Sequence, residues 1–597
     1  MKIPTGTGVG LVAAVAIAVA GCNGFGTNCN TDSDCTATNA NAYCDPGLKV
    51  CFIRPGPMVT EIQPTNDATG VTAIGATVTA TFSEAIVDAG VKMDSFPVTG
   101  QGFVTFGNYA ANSDSTAVTF TPLAAGLAQG TEYTVNLTAA IKDGAGNTLQ
   151  PFQSKFTTAD GTWQSDTTYT ASTNIGDFSV AASYFGEIVA AADVQIPPST
   201  SDYWSLYAGV SAGVLAGGNT PNIDQPVYNV ATDAVFSPQV SISSNGRAFV
   251  AFSVFSGTSS YFSKASTYDP TTSSWSSVID LPVPPSPNTS DATVVALPSG
   301  NGIAAWLEQS TTGTNYNVKT RPYGATSGWS TTDFFIQNDT TADCFNLRLA
   351  TDVLFYDVLA AWTQTGGTNS VIEVSYFNGT GNFQVPFGIS DSTVASDEAD
   401  IALGYYGKGG AVWRAQTGGN YHIWARNFDP TVGGLFGALK QIDNAPTSAF
   451  TPRIGAAANG NLVAVWIQSA GSSGGSVVAA RYDASTGTWA SPETLVTDTN
   501  NQPTGAVVTV DPGGNAIAVW QEQSGSVLAA YARRYTVSGG WSPPLASPAT
   551  RLTTGNDTIN SAFTPAAAVD ALGLGSVFVS RTNSTNSNIY LDYIPYY

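Results

Sequence analysis

The sequence predicts an all-β protein, most of it a β-propeller, on three observations. The first is a repeat. Apolar tetrads ending in an aromatic residue, such as Val463-Ala464-Val465-Trp466 and Ile517-Ala518-Val519-Trp520, recur through most of the chain. Their anchors Phe252, Trp306, Trp362, Trp413, Trp466, Trp520 and Phe578 are spaced 54, 56, 51, 53, 54 and 58 residues apart. A period of this size marks one supersecondary unit stacked on copies of itself. The second is composition: 61 Gly, 24 Tyr, 28 Phe and 12 Trp with only 11% charged residues favour short strands and tight turns over helices. The third is period-two alternation between turn signals, as in Val78, Ala80 and Phe82 or Tyr133, Val135 and Leu137.

The elements follow in chain order. Residues 1–21 open with Lys2 and an apolar run, Leu11–Ala20, too short for a spanning helix but suited to a secretory signal. Val19-Ala20-Gly21-Cys22 resembles the lipobox of bacterial lipoproteins. The resemblance implies cleavage before Cys22 and diacylation of its thiol; two or more acyl chains anchor stably. Asn23, rather than Asp, implies export to the outer membrane, with the remainder surface-exposed. The expected partner of this end is therefore the membrane itself.

Residues 22–56 form the anchor, a linker and a Cys-rich segment. Cys29, Cys35, Cys44 and Cys51 lie close together in a chain expected to be exported, which reads as two disulfides with three connectivities open. Zinc would require closer pairs such as Cys-x2-Cys, and none is present. The spacing, with Asp32, Asp34 and Tyr43-Cys44-Asp45, resembles small Cys-rich modules of bacterial surface lipoproteins. That resemblance implies first-to-third and second-to-fourth pairing. Cys344, in an apolar stretch, is expected to be a buried free thiol.

Residues 57–159 read as a small β-sandwich after the linker Pro55-Gly56-Pro57. Phe82-Ser83-Glu84, Val118-Thr119-Phe120-Thr121-Pro122, Gly130-Thr131-Glu132-Tyr133, Asp143-Gly144-Ala145-Gly146-Asn147 and Phe156-Thr157-Thr158 follow in the order of the bacterial Ig-like domain of S-layer and other surface proteins, which this region resembles. The resemblance implies a spacer or stalk. Asp143 and Asn147 have the chemistry for calcium, but side-chain-to-backbone turn bonds are the expected role. No other cofactor is implied.

Residues 160–597 are the repeat region, each unit reading as four antiparallel strands. The last unit has room for three strands, whereas Trp163 has the look of a fourth-strand Trp with no unit before it. An N-terminal strand completing the C-terminal blade therefore gives eight blades, with a degenerate first unit containing a strand from Glu187 to Gln195; seven is the alternative. Phe-Ser/Thr-Pro at Phe236, Phe450 and Phe563 is expected to introduce the first strand of its unit. The repeated Trp residues are expected to pack between blades. Tyr203 and Trp204, outside the pattern, are the better ligand-surface candidates.

Net charge is −22 with no basic cluster, which excludes nucleic-acid binding. The one histidine, His422, excludes multi-histidine metal hydrolysis, and no Gly-x-Ser-x-Gly elbow accompanies it. The repeat resembles sialidase-type propellers in outline only. Tyr482-Asp483-Ala484-Ser485-Thr486-Gly487-Thr488-Trp489 misplaces the Asp of an Asp-box, and no local pattern gives Arg247, Arg348, Arg414, Arg453, Arg481 or Arg534 a substrate carboxylate. Asp397, Glu398 and Asp400 are the densest acidic cluster of the repeats and would suit glycoside chemistry. With no catalytic or metal constellation, the expectation is a non-catalytic envelope lipoprotein binding protein or carbohydrate. The alternatives are a glycan-active enzyme using those carboxylates, or a purely structural envelope part.

Overall fold

The computed structural model describes residues 24–36, 42–53, 55–169, 174–195, 204–211, 223–256, 260–282, 288–311, 313–365, 367–470, 474–498, 501–524, 527–553, 558–559, 563–582 and 588–597. The signal segment, Cys22 and Tyr203 lie outside them. Cys29 pairs with Cys44 and Cys35 with Cys51, the order the resemblance implied. These staples hold a three-stranded sheet and a one-turn helix, Asp32–Thr36, whose Asp32 accepts the Cys44 N–H at 2.9 Å. Three of the sulfurs lie close enough together to suggest a metal site, but all three are spent in these bonds.

Residues from Val59 to Thr158 form a sandwich of a four-stranded and a five-stranded sheet. The alternating residues do as their pattern demands: Val78, Ala80, Phe82, Tyr133, Val135 and Leu137 are all buried in one core with Phe96, Phe120 and Phe156. In the Asp143 turn, one carboxylate oxygen accepts the N–H groups of Ala145 and Asn147 and the other accepts the Asn147 amide.

The described residues form eight blades, numbered here by their innermost strands: Ile175–Ala182, Asp233–Ile242, Thr289–Ala296, Asp343–Thr351, Ser396–Leu403, Ala449–Ala456, Thr504–Val510 and Ala566–Val569 for blades 1 to 8. Each runs from one face of the ring, called the mouth face here, to a tight turn on the opposite face and returns as the second strand. Trp306, Trp362, Trp413, Trp466 and Trp520, on second strands, are almost wholly buried between blades. Their indole N–H groups are satisfied two residues on, by Glu308, Gln364, Gln468 and Glu522 in four of the five. Such a side chain can be buried because its one donor stays paired.

Third-strand Tyr faces fourth-strand Trp in the same register in several blades: Tyr268 with Trp275, Tyr323 with Trp329, Tyr482 with Trp489 and Tyr535 with Trp541. Blade 8 makes the pair from the two ends of the repeat region. Tyr596 bridges Trp163, their ring centroids 4.9 Å apart, and Thr167–Tyr169 joins Ile589–Tyr596 as the fourth strand. The ring is closed as the sequence predicted.

Two expectations are corrected. In blade 8 Phe563-Thr564-Pro565 directly precedes Ala566–Val569, as expected, but elsewhere Phe-Ser/Thr-Pro does not open a strand. In blades 2 and 6 it forms a β-bulge inside the innermost strand, with Ser237 and Thr451 at φ 51° and 49°. A proline tolerates the bulge because no ladder donor is lost there. Second, the Ig-like domain is not a free stalk, because it is docked on the face that carries the first turns. Asn459 and Asn515 donate to the carbonyls of Gln101 and Gln129, the Gln129 N–H donates to Leu572 O, and Ala458 joins the sandwich core. Arg534 bridges Asp511 of blade 7 to Asp160 at the end of the Ig-like domain, both at 3.4 Å.

Asp570, in the first turn of blade 8, is buried under this contact. One oxygen accepts the N–H groups of Leu572 and Leu574 at 2.9 Å, while the other has no partner among the described residues. Burial pushes its pKa up to about 7, and the charge of Asp511 adds to the rise. An unfolded Asp titrates near about 4. The folded state thus holds the proton more tightly, and the contribution of this group to stability is lost as pH rises from about 4 to about 7. Asp570→Asn is expected to unfold at a higher temperature than the parent at pH 8, with the difference shrinking toward pH 5. Thermal denaturation followed by circular dichroism at the two pH values checks this.

Candidate functional site

The central channel is where side chains from successive blades meet. Its innermost strands carry a bulge at the same height in blades 1 to 7, seen as a register break between Ile175 and Phe178, Phe236 and Gln239, Ser290 and Thr293, Phe345 and Arg348, Asp397 and Asp400, Phe450 and Arg453, and Thr504 and Val507. In blades 2 to 6 the bulge residue is a non-glycine with positive φ: Ser237, Asp291, Asn346, Glu398 and Thr451. This conformation is costly for a side chain, most of all for a β-branched one, so it must be held by its surroundings.

What holds it is a set of contacts between blades. Carboxylates on odd blades accept backbone N–H groups of the next even blade: Asp177 from Ser237 at 3.0 Å, Asp291 from Asn346 at 3.1 Å and Glu398 from Thr451 at 3.0 Å. One step deeper, Asp400 accepts the Ile454 N–H at 3.0 Å. The acidic cluster singled out in the sequence is thereby accounted for. Asp397 is held bidentately by Arg414 at 2.6 and 3.0 Å, and the same guanidinium reaches Glu398 at 3.3 Å. The hydrogen bond to Asp397 raises the pKa of Arg414 against its partial burial.

The arginines sort themselves by partner. Arg247 pairs with Asp269, Arg414 with Asp397, Arg481 with Glu493, and Arg534 with Asp511. Arg348 of blade 4 and Arg453 of blade 6 have no ion pair among the described residues; each donates only to the carbonyl before it, Leu347 at 3.0 Å and Pro452 at 2.8 Å. They stand just past the bulge on blades separated by one, with Asp400 on the blade between. Burial lowers the pKa of Arg348, and repulsion from Arg453 adds to it, against the attraction of Asp400 and Asp291. The guanidinium groups remain charged, and a ligand anion between them would relieve that repulsion.

The far end of the channel is shut. Tyr184 follows the innermost strand of blade 1 and Tyr405 that of blade 5, opposite blades in a ring of eight, yet their rings meet at 5.5 Å. They therefore cross the axis. Ala124 of the Ig-like domain packs behind them with Leu572 and Leu574 of blade 8. Among the described residues the channel is closed at this end, which makes it a blind funnel.

The other sequence candidates are structural. His422 Nδ1 contacts Asp443 at 2.8 Å, but Asp443 also accepts the Ile423 N–H. That second contact is repeated by Ser390 with the Ile372 N–H and Thr553 with the Ala530 N–H, so Asp443 fills a recurrent blade position. Trp204 lies within the blade 1 sheet and packs on the core between blades 1 and 2. The Cys344 thiol is buried, which pushes its pKa up to about 12. Sequence reasoning missed the funnel pair, because two arginines far apart in sequence converge only through the ring. The register position after each bulge was their one signal.

Residues 54–158 match the bacterial Ig-like domain family. No curated protein matches the chain. Among solved structures, an ulvan lyase of a polysaccharide lyase family is similar at 11% identity and TM-score 0.39, over 60% of this chain and 94% of its own. The β-propeller domain of the Trilobed protease of Pyrococcus furiosus is similar at 10% and 0.37, over 64% and 99%. The NanB sialidase of Streptococcus pneumoniae is similar at 10% and 0.33, over 77% and 88%. These are likenesses of fold alone.

Arg414→Ala would leave Asp397 and Glu398 without their cation in a partly buried site. It is expected to lower stability by about 1–3 kcal/mol, and Glu398→Gln, which keeps an acceptor for Thr451, by less. Chemical denaturation of the two variants checks the order.

Proposed function

We propose that the chain is an exported lipoprotein, anchored to the outer membrane through lipid on Cys22, whose propeller binds an anionic group of a protein or glycan without turning it over. The pair Arg348 and Arg453 carries this reading. Two half-buried, mutually repelling guanidinium groups have no carboxylate within ion-pair distance among the described residues, on the wall of the channel. Guanidinium groups suit carboxylate, sulfate and phosphate alike, since their donors match two oxygens at once.

The Ig-like domain covers the face opposite the mouth. An anchor at Cys22, upstream of that domain, would leave the mouth directed away from the tether. The two disulfides fit an oxidising compartment. The enzymatic alternative loses its best candidates: Asp397, Glu398 and Asp400 are all engaged by Arg414 or by backbone N–H groups. A group held in that way is a poor proton shuttle.

Two measurements test the proposal. The full chain in detergent is expected to bind oligogalacturonate or polyglutamate probes more tightly than their uncharged counterparts, with affinity falling as salt rises. Arg348→Ala and Arg453→Ala are each expected to weaken that binding at least about tenfold, the loss of one charge-assisted contact. Unchanged binding in both variants overturns the funnel reading, and turnover of a sialoside or polysaccharide lost in Glu398→Gln overturns the non-catalytic one. Cys22→Ser is expected to give released or unprocessed protein in membrane fractionation, and normal retention overturns the anchor.

A further inference from the structure

A second site lies far from the funnel, between blades 3 and 4. Its origin is in the repeat. In blades 2, 3, 6 and 7 the third-strand Tyr and fourth-strand Trp pack with their rings tilted or edge-on, the Trp reaching into the gap toward the preceding blade. Trp329 of blade 3 meets Phe249 of blade 2, and Trp541 of blade 7 donates to Glu493 of blade 6. Blade 4 departs from this. The Gln384 N–H bonds to Tyr376 O as the residue after the Trp does elsewhere, which places Phe377 and Phe383 where Tyr and Trp stand. Their rings meet at 5.6 Å, a like separation, but the indole is missing.

Beside this Phe pair lies a cleft of about 370 Å³, within the size range of small-ligand sites. Phe334, Phe335 and Tyr356 stand at its rim, partly exposed, with Phe335 54% accessible. Thr320, Asn301 and Asn382 supply polar groups; none of the lining side chains is charged, and Lys319, whose ammonium lies 4.0 Å from the centre of the Phe335 ring on one face, is paired with Glu308. Two comparisons set this cleft apart. Blade 5 also carries a Phe pair, Phe428 and Phe436, but there Leu435, Leu439 and Phe387 close the gap. A cleft of about 420 Å³ between blades 6 and 7 is lined by Arg481 and Asp483, and the Arg481 guanidinium lies 4.6 Å from the centre of the Tyr535 ring. Blade 3 has Pro322 at the position of Arg481, judged by the same register against the fourth strand.

We infer that the cleft between blades 3 and 4 binds a neutral saccharide, one or two rings in size, on the faces of Phe334, Phe335 and Phe383. Phenyl faces suit the C–H faces of a sugar ring; the Asn382 amide offers a donor and an acceptor to its hydroxyls, and the Asn301 amide offers its N–H groups, its Oδ1 accepting the Ala325 N–H. An uncharged lining disfavours the anion proposed for the funnel, because a buried charge without a partner is costly. The two sites are chemically independent.

The test uses the full chain in detergent and calorimetric titration with cellohexaose, maltohexaose and xylohexaose. Binding of at least one is expected, unaffected by about 0.5 M salt, at which exposed charges are screened. Phe383→Trp restores the ring carried by the other blades and should keep the fold while weakening binding at least tenfold; Phe335→Ala should weaken it too. Arg348→Ala should leave it unchanged, which separates failure here from failure of the funnel. The inference is overturned if none of the three binds, if Phe383→Trp binds as the parent does, or if an apolar peptide binds the cleft in place of the sugars.

Discussion

Closure of the ring is the constraint from which the rest follows. A propeller is a chain of blades, each burying one face on its neighbour, and its two ends would be exposed sheet faces unless they meet. Here they meet through Thr167–Tyr169 on Ile589–Tyr596, reinforced by two backbone hydrogen bonds between Thr162 and Tyr597. The closing strand comes directly after the Ig-like domain. Tying it to blade 8 therefore leaves that domain a few residues of chain, and it packs on the nearest face. Asp160, at the join, is taken by Arg534.

Docking converts a channel into a funnel. Tyr184 and Tyr405 cross the axis, and Ala124 of the sandwich packs with them against blade 8, so the described residues close the channel at this end. The same ring sets the electrostatics. Carboxylates at the bulges are consumed in holding strained backbone on the next blade, so a chain of strongly negative net charge still presents at its centre two guanidinium groups with no ion pair among the described residues. The acidic surplus is a property of the whole molecule, and the funnel has its own balance.

Much of the architecture was legible because it repeats. A Trp every fifty-odd residues needs an inter-blade slot each time, and the Tyr–Trp pairing is local enough to read across several units. Even the closure was visible, as Trp163 without a blade before it and a last unit with three strands. The bulge was misread because Phe-Ser/Thr-Pro looks the same at a strand start as inside one; only the pairing on both sides distinguishes them. The stalk expectation failed for a different reason. A domain's own core pattern says nothing of its outer surface, and Ala458, Asn459 and Asn515 look like ordinary turn residues until the sandwich lies on them.

The sequence by itself determined the strand periods, the cysteines available for bonding and the residues that must be buried, because each of these is dictated by neighbours within a few dozen positions; closure of the ring chose eight blades over seven. Only the tertiary structure decided which charges are spent and which are free. Arg348 and Arg453, or the Phe pair that leaves a cleft beside blade 3, gain meaning from the strand across the gap, and the ring, rather than the chain, chooses that strand.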